Sequence, residues 1–153
     1  MIEPEELSRI IEKEKKRGKR IVFTNGCFDL LHPGHIHLLR QAKEEGDILI
    51  VGLNSDASLK RLKGKERPLI PEEERAEIIA SLEMVDYVVI FQEDTPYSLI
   101  KKLKPHVLVK GEDWRDKGVV GRDIVESEGG KVKLVNCLPG YSTRYLIQKI
   151  KNA

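Results

Sequence analysis

The order of apolar segments constrains the fold of this chain more than any other feature. Five short segments, each almost continuously apolar, alternate with stretches in which apolar residues recur at helical spacing. Short continuous apolar segments are typical of parallel strands that helices cover on both faces. The five segments are residues 21–24, 48–53, 87–91, 107–109 and 132–135. This alternation predicts an α/β fold with a doubly wound parallel five-stranded sheet and helices on both faces.

The segments between the strands carry helix signals. His35, Leu38, Leu39 and Ala42 follow the i, i+3, i+4, i+7 spacing of one helical face. Pro71 and the glutamates after it predict a further helix start. Other helices are predicted over residues 96–103, 119–128 and 142–151, and over 4–17 with Gly18 as its stop. We expect one domain over residues 1–153, in which a charged N-terminal helix (1–18) is an appendage to an α/β core (20–153).

Composition excludes several classes of partner. The 153 residues carry a net charge of only +2, so no nucleic-acid partner is predicted. The longest apolar segments fall short of the ~20 residues of a membrane helix, so no membrane partner is predicted either. The N-terminus is acidic and does not resemble a signal peptide. The two cysteines are too few for a disulfide framework, and together these features predict a cytoplasmic protein.

Polar and glycine-containing segments follow four of the five predicted strands. In a doubly wound sheet, ligands bind beyond the carboxyl ends of the strands. The segments are residues 25–35, residues 54–56 with the basic run 60–67, residues 110–114 and residues 139–143. Residues 92–94, after the third strand, are merely acidic and polar and are not predicted to contribute. Asn54 and Asp56 are predicted to bind substrate.

Residues 25–35, here called the histidine loop, have the layout of an anion site. Backbone N–H groups at a helix start attract anions, and imidazoles there add donors. Neither common phosphate-binding motif, G-x-G-x-x-G or G-x-x-x-x-G-K-[ST], occurs in the chain. Gly26 is predicted to allow close approach of the backbone to phosphate, and Asp29 either braces the turn or belongs to the site.

Two other interpretations of these histidines remain open from the sequence. His35 lies on the apolar stripe and has the alternative of a core histidine. Cys27, His32, His35 and His37 are zinc-type ligands, but His37 points about 200° around the helix from His35, which disfavours a closed tetrahedral site.

Basic and hydroxyl side chains are further candidates for phosphate binding. Arg75 shares the stripe of its predicted helix near the rim, where it either reaches inward to phosphate or stays on the solvated surface. The run 60–67 is predicted to be a mobile basic loop that closes on phosphates, with Lys60 and Lys63 as catalytic candidates. Ser142 is predicted to cap a helix whose start holds an anion together with Thr143.

Residues 26–35, Gly-Cys-Phe-Asp-Leu-Leu-His-Pro-Gly-His, resemble the G-x-F-D-x-x-H-x-G-H signature of the cytidylyltransferase-like nucleotidyltransferases. The resemblance extends over nearly the whole chain from residue 20 and is strongest to the adenylyltransferases of bacterial ADP-heptose synthesis. It is carried by residues 54–56, 63–64, 67–68, 74–75, 93–96, 109–111 and 140–143. It implies a Rossmann-like fold and transfer of AMP from ATP to D-glycero-β-D-manno-heptose 1-phosphate, a reaction of lipopolysaccharide core biosynthesis. It also implies Mg²⁺ bound with ATP, a homodimer and a separate sugar kinase upstream.

The resemblance also implies roles for individual residues. His32 and His35 would donate to the α-phosphate oxygens, Lys60 or Lys63 would close over the phosphates, and Arg75, Ser142 and Thr143 would hold the β/γ end. The implied nucleotide-binding residues also include Gly26, Cys27, Phe28, Asp29, Gly34, Lys110, Gly111, Asp113 and Trp114.

Three alternatives remain at this point: a CTP:glycerol-3-phosphate cytidylyltransferase, an adenylyltransferase acting on a cofactor precursor, and a nucleotide-binding module without turnover. The first of these families usually has an R-T-E-G-I-S-T-T segment. Here Cys137-Leu138-Pro139-Gly140-Tyr141-Ser142-Thr143-Arg144 lacks the leading arginine and has Arg144 in place of the third hydroxyl residue. The intact histidine pair argues against a module without turnover.

Overall fold

A computed structural model describes residues 2–153 and confirms the predicted sheet. All strand pairs are parallel, and the strand order is β3-β2-β1-β4-β5. The strands are β1 (Ile21–Gly26), β2 (Ile48–Asn54), β3 (Tyr87–Phe91), β4 (Val107–Gly111) and β5 (Lys131–Val135). Successive connections run outward from β1 to β3 and then return to β4 on its other side. The order therefore reverses between β1 and β4, where a crevice opens at the carboxyl ends of the strands.

Seven helices and one 3₁₀ turn connect the strands within the described residues. They are α1 (Pro4–Lys16), α2 (Pro33–Glu44), α3 (Asp56–Lys63), α4 (Glu72–Ala80), α5 (Tyr97–Leu103), the 3₁₀ turn Glu112–Trp114, α6 (Arg122–Ser127) and α7 (Thr143–Lys151). None of these helices is long and apolar enough to cross a membrane.

Apolar side chains alternate between the two faces of the sheet and form two cores. On one face Val22 and Val51 pack with Leu39 of α2 and Ile79 of α4. On the other face the strands contribute Ile21, Phe23 and Ile50, which pack with residues of α1, α5 and α6. The period-two alternation of a strand places neighbouring residues on opposite faces, so these strands are buried on both sides.

Helix α1 is part of the second core, so the prediction of an appendage is wrong. Leu7 and Ile11 are buried against the sheet. The Lys15 ammonium donates to the carbonyl of Leu103 at 2.8 Å, and Lys102 pairs with Glu5 at 2.7 Å. The helix carries many charges but also has a narrow apolar stripe. Burial of that stripe is enough to hold the helix against the sheet.

The prediction of a mobile loop over residues 60–67 is wrong in its first half, because residues 56–63 form helix α3. Ser55 caps this helix by accepting the N–H of Ser58 at 3.1 Å, and Gly64 ends it at a positive φ of 104°. Leu59 is fully buried beneath the helix. One buried leucine and a serine cap are a weak signal among four charged residues, and tertiary contact decides the conformation.

Candidate active site

The main cleft of the molecule lies where the strand order reverses. It has a volume of about 720 Å³ and is lined by residues that follow all five strands. A cleft of this size fits a nucleotide-sized ligand. Of the predicted site residues, the cleft is lined by Gly26, Cys27, Phe28, Asp29, His32, Gly34, His35, Asn54, Lys63, Lys110, Gly111, Asp113, Trp114, Ser142 and Thr143. Lys60, Arg75 and Asp56 do not line it.

The two histidines form a stacked pair at the start of α2. His32 is the N-cap residue, and its Nδ1 accepts the N–H of Gly34 at 3.1 Å. The Nδ1 of His35 accepts the N–H of His32 at 3.3 Å, which completes a reciprocal capping box. The ring centroids lie 3.8 Å apart with an interplanar angle of 29°.

This capping arrangement determines which nitrogen of each imidazole carries the proton. A ring nitrogen that accepts a backbone N–H must be unprotonated, so the hydrogen-bond network assigns the proton of the neutral ring to Nε2. Burial lowers the pKa of His32. Burial and the charge of His32 lower the pKa of His35 to about 4. Both rings are therefore neutral near pH 7, and each has an Nε2–H donor that the cap does not use.

Glycines in the histidine loop make room for aromatic rings. A Cβ at Gly26 would lie 2.9 Å from the Phe28 ring, and a Cβ at Gly34 would lie 2.8 Å from Cε1 of His32. Phe28 itself has a positive φ of 48° and is 5% exposed, with its ring centroid 5.2 Å from that of His35. Gly26 was predicted to admit phosphate close to the backbone. The structure shows instead that glycine at position 26 leaves space for the Phe28 ring, which packs beside the ring of His35.

Asp29 braces the loop, which is the first of the two roles predicted for it. Its buried carboxylate accepts the N–H groups of Leu69 and Ile70 at 2.9 Å and the Nε–H of Arg67 at 2.7 Å. Burial raises the pKa of Asp29, but these donors outweigh it and hold the pKa below its usual value. Asp29 is thus an anion whose hydrogen bonds join the histidine loop to the chain before α4.

Arg75 has neither of the roles predicted for it, since it is not on the surface and does not reach the cleft. Its side chain is fully buried, and its Nη1 donates to the carbonyl of Cys27 at 2.7 Å and to that of Asn54 at 2.9 Å. Its Nε donates to the carbonyl of Ile70 at 2.8 Å. A guanidinium this heavily engaged holds loops together and has no free edge for phosphate.

Asp56, which was predicted to bind substrate, does not line the cleft and is paired with the same guanidinium. Its Oδ1 accepts from Nη2 of Arg75 at 2.7 Å, which neutralises the buried guanidinium. Asn54 remains at the cleft. Its Nδ2 donates to the Ser58 hydroxyl at 2.9 Å, and its Oδ1 lies 3.8 Å from Sγ of Cys27.

Helix α3 separates the two predicted catalytic lysines. Lys63 lines the cleft, whereas Lys60 is exposed outside it. Lys63 is the last residue of α3, at the end that meets the cleft, and Lys60 lies about one turn earlier in the helix. Ser58 donates to the carbonyl of Glu93 at 2.9 Å, and Arg61 pairs with Asp94 at 2.7 Å. These contacts fix α3 beside the loop that follows β3.

The side chains after β4 form a cationic and aromatic wall. The ammonium of Lys110 donates to the carbonyl of Asn25 at 3.1 Å and lies 4.5 Å from the centroid of the Trp114 ring. Burial lowers the pKa of Lys110 to about 8. Asp113 is exposed, and its Oδ1 lies 3.7 Å from Sγ of Cys137. A Cβ at Gly111 would lie 2.6 Å from Oδ1 of Asp113, so a side chain there would displace that carboxylate.

Helix α7 contributes its amino terminus to the cleft. Ser142 is the N-cap, as predicted, and accepts the N–H of Tyr145 at 3.0 Å. Thr143 donates its hydroxyl to the carbonyl of Leu30 in the histidine loop at 3.1 Å. The cap leaves the hydroxyl of Ser142 and the remaining free amides of the first turn at the rim.

Several cleft residues were missed by sequence reasoning. They are Asp94, Thr95, Pro96, Lys117, Asn136 and Arg144, whereas Arg67 and Tyr141 lie in predicted site segments without having been singled out. Residues 94–96 follow β3, a strand whose loop was not predicted to contribute. The sheet topology could have predicted these residues, because all the parallel strands end at the same edge of the sheet. Among residues 2–153, no three His, Cys, Asp or Glu side chains form a metal-binding group.

The fold and the site together define a doubly wound α/β protein whose candidate anion site is a helix start with two capping histidines. Residues 23–142 match the model of the Cytidylyltransferase-like family, and the chain belongs to that family.

Two groups of relatives support this assignment. The chain is 63% identical to the bifunctional protein HldE of Geobacter metallireducens over 96% of its own length, and 60% identical to that of Pelobacter propionicus over 94%. It spans 30% of the length of either relative. The crystal structure of the lipopolysaccharide core biosynthesis protein from Thermoplasma volcanium GSS1 superposes with a TM-score of 0.63 at 30% identity. That similarity covers 79% of this chain and 98% of the other.

Proposed function

We propose that this protein transfers AMP from ATP to D-glycero-β-D-manno-heptose 1-phosphate, giving ADP-heptose and pyrophosphate. The observation that carries the transfer chemistry is the stacked His32–His35 pair, whose Nδ1 atoms both accept backbone N–H groups at a cleft-facing helix start. The choice of heptose rests on similarity. It is supported by the resemblance of the rim segments to the ADP-heptose branch and by the identity to HldE proteins over 94–96% of the chain.

The chemistry proposed for the pair is donation to a developing anion. An oxygen of the sugar phosphate attacks the α-phosphorus of ATP, the bond to the bridging oxygen breaks, and pyrophosphate leaves with the electron pair. Negative charge builds on the α-phosphate oxygens and on the leaving group. Neutral imidazoles with free Nε2–H groups can donate to those oxygens without first being protonated. Donors that the fold already holds in place require little reorganisation during the reaction.

Other groups at the rim add positive charge opposite the negative charge of the phosphates. The amino terminus of α7 directs backbone N–H groups toward the cleft, and the amino termini of α2 and α7 both present the positive ends of their dipoles there. Lys63 and Lys110 add positive charge on either side of the histidine loop, since they follow β2 and β4. No side chain is required as a covalent nucleophile, because positioning and electrostatics suffice for this class of reaction.

Magnesium is proposed to bind as part of the MgATP complex. Mg²⁺ typically keeps several waters and takes its other ligands from substrate phosphates and one or two carboxylates. Asp29 is a poor ligand for it because Arg67 and two backbone amides occupy its carboxylate. The ion would neutralise charge on the leaving pyrophosphate.

A cytidylyltransferase acting on glycerol 3-phosphate is the second candidate. The segment Gly111-Glu112-Asp113-Trp114 favours it, because its residues resemble those of that branch and Asp113 and Trp114 line the cleft. The missing arginine before residues 140–143 disfavours it.

Pyrophosphate release distinguishes the candidates. The purified protein is incubated with MgATP or MgCTP, each paired with D-glycero-β-D-manno-heptose 1-phosphate or with glycerol 3-phosphate. We expect release only with ATP and the heptose phosphate, together with ADP-heptose in the product. Release confined to CTP and glycerol 3-phosphate would establish the second candidate, and release with no pair would refute both.

A further inference from the structure

Arg67 is a basic residue of the cleft with most of its hydrogen-bonding capacity unused. Its Nε donates to Oδ2 of Asp29 at 2.7 Å, and its side chain is 19% exposed. Within residues 2–153, Nη1 and Nη2 of Arg67 donate to no protein atom at hydrogen-bond distance, and neither is a buried atom lacking a partner. The guanidinium therefore presents a free edge at the wall of the cleft.

The anchoring of Arg67 distinguishes it from the lysines nearby. The carboxylate of Asp29 is fully buried and is itself fixed by the N–H groups of Leu69 and Ile70. One edge of the Arg67 guanidinium is thereby held while the opposite edge remains available. Lys63 has no comparable partner among the described residues. A planar guanidinium fixed along one edge suits two-point recognition of a phosphate group.

The two walls of the cleft differ in chemistry. The wall that follows β4 contains Trp114, the only tryptophan of the chain, with Val119 and Val120 further along it. The Trp114 ring, with the ammonium groups of Lys110 and Lys117 at 4.5 Å and 5.2 Å from its centroid, gives this wall an aromatic surface that fits a nucleobase. The wall that follows β2 contains Asn54, Lys63 and Arg67. Since β1 lies between β2 and β4, the histidine pair lies between the two walls.

We propose that Arg67 binds the phosphate group of the acceptor substrate, through its two terminal nitrogens, and that Asp29 is the positioning residue that orients it. This inference rests on the proposed function, because it takes the acceptor to be a phosphate monoester and places the nucleobase on the Trp114 wall. It assigns to Arg67 the phosphate contact that sequence reasoning gave to Arg75, and it directs that contact to the acceptor.

The kinetic test compares Arg67→Lys and Arg67→Ala with Lys65→Ala. Lys65 belongs to the run predicted to close on phosphates, but the structure places it outside the cleft with its side chain exposed, so it is a matched control of the same charge on the same segment. Losing hydrogen bonds to a charged group should raise the KM for the heptose 1-phosphate by about 10- to 100-fold. The KM for ATP should change less than about threefold, and Lys65→Ala should match the wild type. Arg67→Lys keeps a positive charge beside Asp29 and so controls for misfolding.

A binding measurement without turnover separates this proposal from the proposed function. Isothermal titration with the heptose 1-phosphate, and with inorganic phosphate as a second probe, should show saturable binding that Arg67→Lys weakens and Lys65→Ala preserves. Binding that depends on Arg67 without formation of ADP-heptose would overturn the proposed function and leave the role of Arg67 standing. ADP-heptose formation with an unchanged acceptor KM in Arg67→Lys would overturn the role of Arg67 alone, as would a rise in the KM for ATP only.

Discussion

The two sides of the histidine loop are held in place by very different means. On the side of α4, buried Arg75 and Asp29 connect the loop to the end of β2 and to residues 69–70 through charged hydrogen bonds of 2.7–2.9 Å. On the side of α7, none of residues 143–151 is buried, and one hydrogen bond of 3.1 Å joins Thr143 to Leu30.

This contrast indicates that the α4 side and the α7 side of the cleft have different roles. Buried charge pairs contribute little net stability but fix geometry, because an alternative arrangement would leave an unpaired charge. A helix with few buried contacts opens at low free-energy cost. The histidines belong to the fixed side, as their proposed donation to the α-phosphate oxygens requires. The α7 side, with Ser142 and Arg144 at its start, can adjust as substrates enter and products leave.

The largest predicted effect is on stability, and it comes from removing the buried guanidinium of Arg75. Arg75→Met should lower the free energy of unfolding by about 3–5 kcal/mol, because it strands Asp56 and three carbonyl groups. Urea denaturation measures this change. The control is Tyr145→Ala on exposed α7, which should shift it by at most about 0.5 kcal/mol. Equal effects of the two substitutions would refute the contrast between the two sides.

The second effect in size concerns catalysis. His35→Ala should lower kcat by about 10²–10³-fold, because one donor to the transition state is lost. ATP affinity, measured by quenching of Trp114 fluorescence, should change little. Arg40→Ala on the same helix, exposed outside the main cleft, is the control and should keep kcat within about threefold. Full activity of His35→Ala would return that residue to a purely structural role.

A smaller effect should appear in the pH dependence of the reaction. The pKa of Lys110 is lowered to about 8, so its ammonium is charged at pH 7 and loses its charge as the pH rises above 8. The kcat/KM for ATP should therefore fall above about pH 8, by up to tenfold per unit. In Lys110→Arg, whose guanidinium stays charged, the profile should be flat to pH 9.5. The same decline in both proteins would exclude Lys110 as its source.

The smallest predicted effect concerns the cap of α7. Ser142→Ala should destabilise this helix by about 1 kcal/mol. Hydrogen exchange should accelerate about fivefold for amides of residues 145–151 and stay unchanged for those of β1. Acceleration in β1 as well would show that α7 is coupled to the core and that the two sides are not independent.

The parallel sheet was predictable because its strands are local in sequence and nearly continuously apolar. The histidine site was predictable because a helix start and its capping residues are contiguous. The roles of Arg75 and Arg67 were not, because they depend on which carbonyl or carboxylate lies opposite each guanidinium after folding. Arg75 meets carbonyls of Cys27 and Asn54, which are 48 and 21 residues away. The spacing of residues along the chain does not show which groups become hydrogen-bond partners after folding.

The central claim is that His32 and His35 are held as neutral donors before any substrate binds. The most direct test is ¹⁵N NMR of the imidazole nitrogens of the free protein at pH 7, assigned with His32→Gln and His35→Gln variants. We predict an unprotonated Nδ1 and a protonated Nε2 in both rings, and for His35 no imidazolium signal above about pH 5. A protonated Nδ1 in either ring, or an imidazolium at pH 7, would contradict the account.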